Sequence, residues 1–289
     1  MKHVFIVNPT SGKGDYRRVE EWVNNFFKNR DEEYEIIRTD YPGHATEIAG
    51  KYGVDTILYS VGGDGTAHEV LNGMNLEDTV LAIVPVGTGN DFWRMYHIKE
   101  PLETILERTM NGTEKQIDIG YSAGRYFLNC LNVGVDAEVN RRVNSSRSKL
   151  IPRTFIYMIY AVIELIRKKT FVLEYSFNGE VHSYKTLLAS FMNGKWYGGG
   201  FKSAPNASFD DGLLDITIVE DVPLRRIPKL LPKYYKGTHL DEDVVNIYRT
   251  DKITVKAPHK VAVGLDGEVL ELDTFTVEVL KGKLRIMAP

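Results

Sequence analysis

The sequence has a single cysteine, Cys130, in 289 residues. That excludes an internal disulfide and any metal site built on several thiolates. Its longest apolar run, residues 154–166, contains Glu164 and falls short of the about 20 residues a spanning helix needs. No basic, then apolar, then small-residue pattern follows Met1, so the expected compartment is the reducing cytosol. Charge of one sign is not in excess either: 36 Lys and Arg stand against 39 Asp and Glu, for a formal net charge of −3. A general nucleic-acid binder would be strongly basic, which disfavours that class. Internal repeats and low-complexity tracts are missing. So are the common nucleotide-binding signatures, since GxxxxGK[ST] occurs nowhere and no GxGxxG sits at a strand-to-helix turn.

What remains is a folded chain, 43% hydrophobic and long enough for two cores. The first 118 residues alternate short β-branched runs (4–7, 34–38, 56–61, 80–84) with amphipathic stretches (16–28, 45–52, 67–71, 102–110). Strand and helix in alternation predict a mostly parallel sheet covered on both faces, the α/β arrangement of nucleotide-binding domains. From about 119 to 282 the pattern changes to short runs between turn signals such as Asn178-Gly179 and Asp210-Asp211-Gly212. These runs (125–135, 171–177, 182–192, 213–219, 252–255, 260–263, 275–280) predict a mostly antiparallel, β-sandwich-like domain. Helices over 153–168 and 224–235 interrupt it, and a last strand, 283–289, is expected to return to the first domain. The active site is expected in the cleft between the two domains.

Three glycine-rich segments lie where parallel strands should end, the usual place for binding loops. In Ser60-Val61-Gly62-Gly63-Asp64-Gly65-Thr66, adjacent glycines would let backbone amides approach a phosphate, and the following helix adds its positive end. Asp64 repels a polyphosphate unless a cation such as Mg2+ intervenes. The same loop also reads as a tight turn capping an ordinary helix. Residues 7–14 and 84–92 repeat the recipe, the latter with Thr88 and Asp91. Three such loops at successive strand ends are hard to explain as turns alone.

The runs NPTSG (8–12), VGGDGTAHEVLNG (61–73) and PVGTGNDF (85–92) resemble the diacylglycerol kinase catalytic-domain family, which includes the bacterial lipid kinases and the sphingosine and ceramide kinases. NGKWYGGGFKSAP (193–205), NASFDDGLLD (206–215) and GLDGE (264–268) continue the likeness through the second domain. The resemblance implies an ATP- and Mg2+-dependent lipid kinase. It implies that Asn8, Pro9, Thr10, Ser11, Gly12, Thr39, Gly63, Asp64, Gly65, Thr66, Ala67, His68, Glu69 and Thr88 line the nucleotide site. It places Asp64 and Asp91 near the catalytic Mg2+, makes Asp266 the general base with Glu268 beside it, and assigns a structural Mg2+ to Ser208, Asp211 and Leu213. By its residues alone, Asp266-Gly267 reads equally as a plain hairpin turn. Trp93 departs from the small residue of many relatives and would narrow the acceptor entrance.

Two readings compete with the lipid kinase. GGDGT is also similar to the loop of NAD kinases, and a non-catalytic lipid or nucleotide sensor could keep the fold. A lipid acceptor requires peripheral contact with an anionic membrane surface. Two basic, partly apolar segments offer it: one with Arg141, Arg142, Arg147, Lys149, Arg153, Arg167, Lys168 and Lys169, the other with Arg225, Arg226, Lys229, Lys233 and Lys236. Either segment also reads as a solvated face over a core helix. Cys130 is expected to be packed, and His68 to lie on a helix surface. Sequence does not decide between a monomer and a homodimer.

Overall fold

The computed structural model describes residues 1–12, 14–145, 153–167 and 169–289. The chain divides into two compact units, Met1–Ile117 with Gly282–Pro289, and Asp118–Lys281.

The first unit is built on strands β1 (Lys2–Val7), β2 (Tyr34–Arg38), β3 (Thr56–Gly62) and β4 (Thr79–Pro85). All pair in parallel, in the order β2-β1-β3-β4, with His3 opposite Tyr34, His3 opposite Ile57, and Ile57 opposite Val80. The C-terminal stretch adds a further parallel strand through Ile286 and Leu81. Helices α1 (Tyr16–Phe27), α2 (His44–Ala49), α3 (Asp64–Gly73) and α4 (Leu102–Met110) make the crossovers. On α1, Val19, Val23 and Phe27 are spaced four apart and turn one face into the core beside Phe5 and Tyr59. Burying each such side chain is worth about 1.5–3 kcal/mol. β3 and β4 read as unbroken apolar runs because nearly every residue of both is buried.

The second unit contains β6 (Arg125–Phe127), β7 (Cys130–Gly134), helices α5 (Val135–Ser145) and α6 (Arg153–Arg167), then β8 (Phe171–Phe177), β9 (Glu180–Met192) and β10 (Leu214–Glu220). It continues through α7 (Ile227–Lys236), β11 (Val245–Thr250), β12 (Lys252–Leu265) and β13 (Glu268–Ala288), whose last residues belong to the first unit. β5 (Thr113–Ser122) enters it from the first unit and pairs with β6. Pairing within the second unit is antiparallel. The long strands β9 and β12 each pair with β8 over one half and with β7 over the other, which folds the sheet back on itself as a sandwich. Alternate residues serve two cores. Leu131, Val133, Ala189, Phe191, Ile216 and Ile218 fill the interior between strands, while Cys130, Leu188, Met192 and Val219 meet α5, α6 and α7.

Several boundaries differ from the sequence reading. The expected strand 125–135 is broken after Phe127 by Leu128 and Asn129, whose amides turn to Asp266. The runs 252–255 and 260–263 form one strand, kinked by a bulge between Lys256 and Val261 around Pro258. The run 275–280 and the expected last strand, 283–289, are likewise one strand, β13, which ends at Ala288. Helix α3 starts at Asp64, three residues before the expected 67, because the glycines form its entry turn.

Candidate active site

In the first unit the three glycine-rich loops leave the carboxyl ends of β1, β3 and β4, which are neighbours in the sheet. They touch. The Val86 and Gly87 amides donate to the Gly62 carbonyl at 3.0 and 3.1 Å. A Cβ on Gly87 would come within 2.4 Å of the Gly63 Cα, so the third loop tolerates no larger residue there. Gly12, at φ +65°, backs onto the Val86 carbonyl, where a Cβ would stand at 2.3 Å. Asn8 ties the first loop to the second: its Nδ2 donates to Thr66 Oγ1 at 3.0 Å, and its Oδ1 accepts the Thr10 amide and hydroxyl at 3.0 and 2.7 Å. The Thr39 amide donates to the Val7 carbonyl at 2.9 Å, bringing that residue to the same end of the sheet. Thr88 is exposed, and Pro9 and Ser11 are partly so.

Gly63 caps α3 in extended conformation with no side chain bonded across the cap. A helix start of this kind presents amides and the positive end of the helix dipole to an anion. Asp64 sits in the first turn, and its Oδ1 accepts the Phe92 amide at 3.2 Å, which joins the second and third loops. Asp91, nearly buried, faces Arg94 Nε at 3.2 Å. Ala67 is buried; Gly65 is exposed. Glu69 reaches the Ala45 amide at 3.3 Å, and its carbonyl accepts the Thr46 hydroxyl, so it braces α2 against α3. His68 is buried rather than at the surface, because its face of α3 packs inward. Trp93 is buried as well and its ring lies 5.4 Å from that of Tyr96, so it fills core rather than an opening. Lys13 lies outside the described residues.

The resemblance places Asp64 and Asp91 near the catalytic metal, and the structure puts them on the second and third loops, which the Asp64 carboxylate joins through the Phe92 amide. Mg2+ uses one or two carboxylates beside phosphate oxygens and water, not a full protein cage. Among the described residues no group of three or more His, Cys, Asp or Glu forms such a cage.

In the second unit Asp266 and Gly267 form the two-residue turn between β12 and β13, with φ +45° and +96°. Both positive values mark the hairpin turn that the Asp-Gly pair favours. The Asp266 carboxylate is more than a turn residue. It accepts three consecutive amides, from Leu128 at 2.5 Å, Asn129 at 3.0 Å and Cys130 at 2.9 Å. Its own amide donates to the Cys130 carbonyl at 3.0 Å. Glu268 pairs with Arg125 at 2.6 Å.

Ser208, Asp211 and Leu213 do fall in one short stretch, and both oxygens of the Asp211 carboxylate accept protein donors. Ser208 Oγ bonds Asp210, Asp211 Oδ1 accepts the Leu213 amide at 3.0 Å, and Asp211 Oδ2 is held by the Arg249 guanidinium. The Gly212 amide goes to Asp118 Oδ2 at 2.6 Å. The Arg249 guanidinium therefore stands on the carboxylate that the resemblance gives to the structural cation.

Helices α5, α6 and α7 and strands β9 and β10 enclose a narrow apolar pocket, lined by Val135, Leu165, Leu187, Phe201, Val222 and Leu230 among others. Asp136 is its acid: buried, and hydrogen-bonded by the Tyr197 hydroxyl. On the opposite face of α6, Ile159, Val162 and Ile166 are exposed. Several members of the basic segments are paired with acids. Arg142 pairs with Glu164, Arg141 with Glu138, Arg226 with Asp243, and Lys233 with Glu242. Arg225, Lys229 and Lys236 are exposed and form no ion pair among the described residues. Arg147, Lys149, Lys168 and the Arg153 side chain lie outside the described residues.

Sequence reasoning did not single out Asp118, Arg125 or Arg249. Each acts through a partner at least 38 positions away, and only strand register reveals it.

Two family descriptions match the chain: the diacylglycerol kinase catalytic domain over residues 2–122, and the YegS C-terminal NAD kinase beta sandwich-like domain over residues 129–288. A diacylglycerol kinase of Staphylococcus aureus (strain bovine RF122 / ET3-1) is 30% identical over 270 residues, covering 91% of this chain and 84% of its own. The diacylglycerol kinase of Bacillus subtilis (strain 168) is 29% identical, covering 91% and 88%. A crystal structure of a diacylglycerol kinase from Bacillus anthracis str. Sterne has the same fold, with a TM-score of 0.74 at 22% identity over 100% of this chain and 97% of that one. Loops, hairpin and both matched domains together make the chain a member of the diacylglycerol kinase catalytic-domain family.

Proposed function

We propose that the chain is an ATP- and Mg2+-dependent lipid kinase that transfers the γ-phosphate to the hydroxyl of a membrane lipid such as diacylglycerol. The observation that carries the reading is the meeting of three glycine-rich loops at the ends of β1, β3 and β4, with Gly63 against Gly87 and Gly12 against Val86. Such a surface brings many backbone amides toward one anion and leaves no side chain in the way. Asn8 orders it by fixing Thr66 and Thr10. Asp64 and Asp91 are the proposed metal carboxylates, and bound Mg2+ would offset charge on the transferring phosphoryl oxygens.

Asp266 is the proposed acceptor of the hydroxyl proton. Three consecutive amides fix the direction of its carboxylate. The apolar pocket under α6 suits an acyl chain, which would anchor the lipid by its tail while the hydroxyl stays in polar surroundings. No helix among the described residues is long and apolar enough to cross a membrane. The proposed approach to lipid is therefore peripheral, with Ile159, Val162 and Ile166 entering the interface and Arg225, Lys229 and Lys236 facing anionic headgroups.

Radiolabelled ATP with a panel of lipid alcohols in mixed micelles, and NAD as a soluble acceptor, tests the reading. Label in the organic phase supports a lipid kinase. Label in NAD alone makes the chain an NAD kinase-like enzyme, and binding without ADP release makes it a sensor.

A further inference from the structure

The turn that leads into β10 and the start of that strand carry three carboxylates, Asp210, Asp211 and Asp215, within six residues. Left alone they would repel one another. The antiparallel register of β10 and β11 places Arg249 directly opposite Asp215, so its position is fixed by main-chain pairing rather than by side-chain chance. From there the guanidinium spans both acids: Nη2 bonds Asp211 Oδ2, and Nε lies 3.3 Å from Asp215 Oδ1. We propose that Arg249 is the built-in cation of this turn and holds it closed in place of the structural divalent metal that the family likeness assigns to Ser208, Asp211 and Leu213.

Four features support the assignment. First, the amides around the turn find protein acceptors: Leu213 donates to Asp211 Oδ1 at 3.0 Å, Gly212 to Asp118 Oδ2 at 2.6 Å, and Asp118 to the Phe209 carbonyl at 2.7 Å. Second, a cation reaching Asp211 would have to displace a guanidinium, whose fork matches carboxylates and whose charge persists at every physiological pH. Third, Mg2+ dehydrates reluctantly and demands near-octahedral oxygen ligation, and each Asp211 oxygen already accepts one protein donor, the Leu213 amide on Oδ1 and Arg249 on Oδ2. Fourth, a Cβ built on Gly212, at φ +76°, would stand 2.9 Å from Lys281 Cδ, so the aliphatic part of Lys281 packs over that glycine. Asp215 Oδ2 is buried without a hydrogen bond. The same guanidinium therefore serves both acids. The consequence for function is that the divalent-metal requirement of this chain comes from the nucleotide alone.

Thermal unfolding of the nucleotide-free chain, followed by circular dichroism in EDTA and in excess MgCl2, tests this. Wild-type Tm should agree in the two buffers within roughly 1 °C, a small shift on the scale of one lost interaction. Arg249→Gln should lower Tm by several degrees in EDTA, and Mg2+ should then restore part of the loss because Asp211 has been vacated. Asp211→Asn controls for Mg2+ bound elsewhere, since only stabilisation that disappears in this variant belongs to the turn. A wild-type rise of several degrees in Mg2+ that Asp211→Asn abolishes would overturn the proposal, and so would an Arg249→Gln variant as stable as wild type in EDTA. If Arg249→Gln does not fold, the wild-type and Asp211→Asn comparison decides by itself.

Discussion

Asp266→Asn replaces one carboxylate oxygen by an amide nitrogen and removes the charge. In the wild-type chain Oδ1 accepts Asn129 and Cys130, while Oδ2 accepts Leu128. The asparagine oxygen can keep two of these amides. Its NH2 group must then face the third, donor against donor. Hydrogen bonds to a charged group contribute about 1.5–3 kcal/mol and neutral ones about 0.5–1.5. One lost bond and two weakened ones therefore predict a destabilisation of roughly 2–4 kcal/mol, or a Tm lower by roughly 5–15 °C for a unit of this size. If Asp266 also accepts the lipid proton, turnover should fall by about 10²–10⁴-fold while ATP affinity, which depends on the first unit's loops, is unchanged. Glu268→Gln is the control: its partner Arg125 is partly exposed, and loss of such a pair costs about 1 kcal/mol or less. Calorimetry, nucleotide titration and lipid phosphorylation at a temperature where all variants are folded separate these effects. An Asp266→Asn enzyme with turnover within about threefold of wild type would refute the base assignment, and an unchanged Tm would refute the anchoring role of the three amides.

Gly12→Ala forces a Cβ to 2.3 Å from the Val86 carbonyl at a positive φ; ATP binding by calorimetry should weaken at least about tenfold, whereas Gly53→Ala, with open space around it, should leave it unchanged. His239 is fully buried, and burial lowers its imidazole to about 4. The unfolded chain therefore takes up a proton below about pH 6.5 that the folded chain refuses, so stability should fall by about 2 kcal/mol between pH 7.5 and 5.0 in urea titrations. His239→Gln should remove that part of the slope, and an unchanged slope would show that another group carries it. Reversing Arg225 and Lys229 to Glu should lower sedimentation with anionic vesicles by about 30-fold or more at low salt, at about 1 kcal/mol per basic residue. Arg226→Glu should matter less because Asp243 and Glu242 already hold Arg226; vesicle binding indifferent to Arg225 and Lys229 would remove α7 from the docking surface.

The alternation of β-branched runs with amphipathic stretches made the first unit legible, because strands buried on both faces and helices buried on one leave opposite signatures. The glycine loops were legible for a similar reason: close backbone approach tolerates only glycine at Gly12 and Gly87. In the second unit the local signal was correct and its continuity was not. Lys256 to Val261 looks like a break because it holds Pro258, yet the structure absorbs it as a bulge within β12. Charge was the least legible property. Arg226, Lys233 and Arg142 form basic clusters along the sequence, but Asp243, Glu242 and Glu164 neutralise them in space. Arg249 could not be connected with Asp211 and Asp215 before the register of β10 and β11 was known.

The most direct measurement of the central claim is the ratio of ADP released to lipid phosphomonoester formed on diacylglycerol-containing anionic vesicles, with Asp64→Asn as the inactive reference. A ratio of one, with ADP release that requires lipid and is lost in Asp64→Asn, is the predicted result. ADP formed equally without lipid, or phosphate recovered only in a water-soluble acceptor, would contradict it.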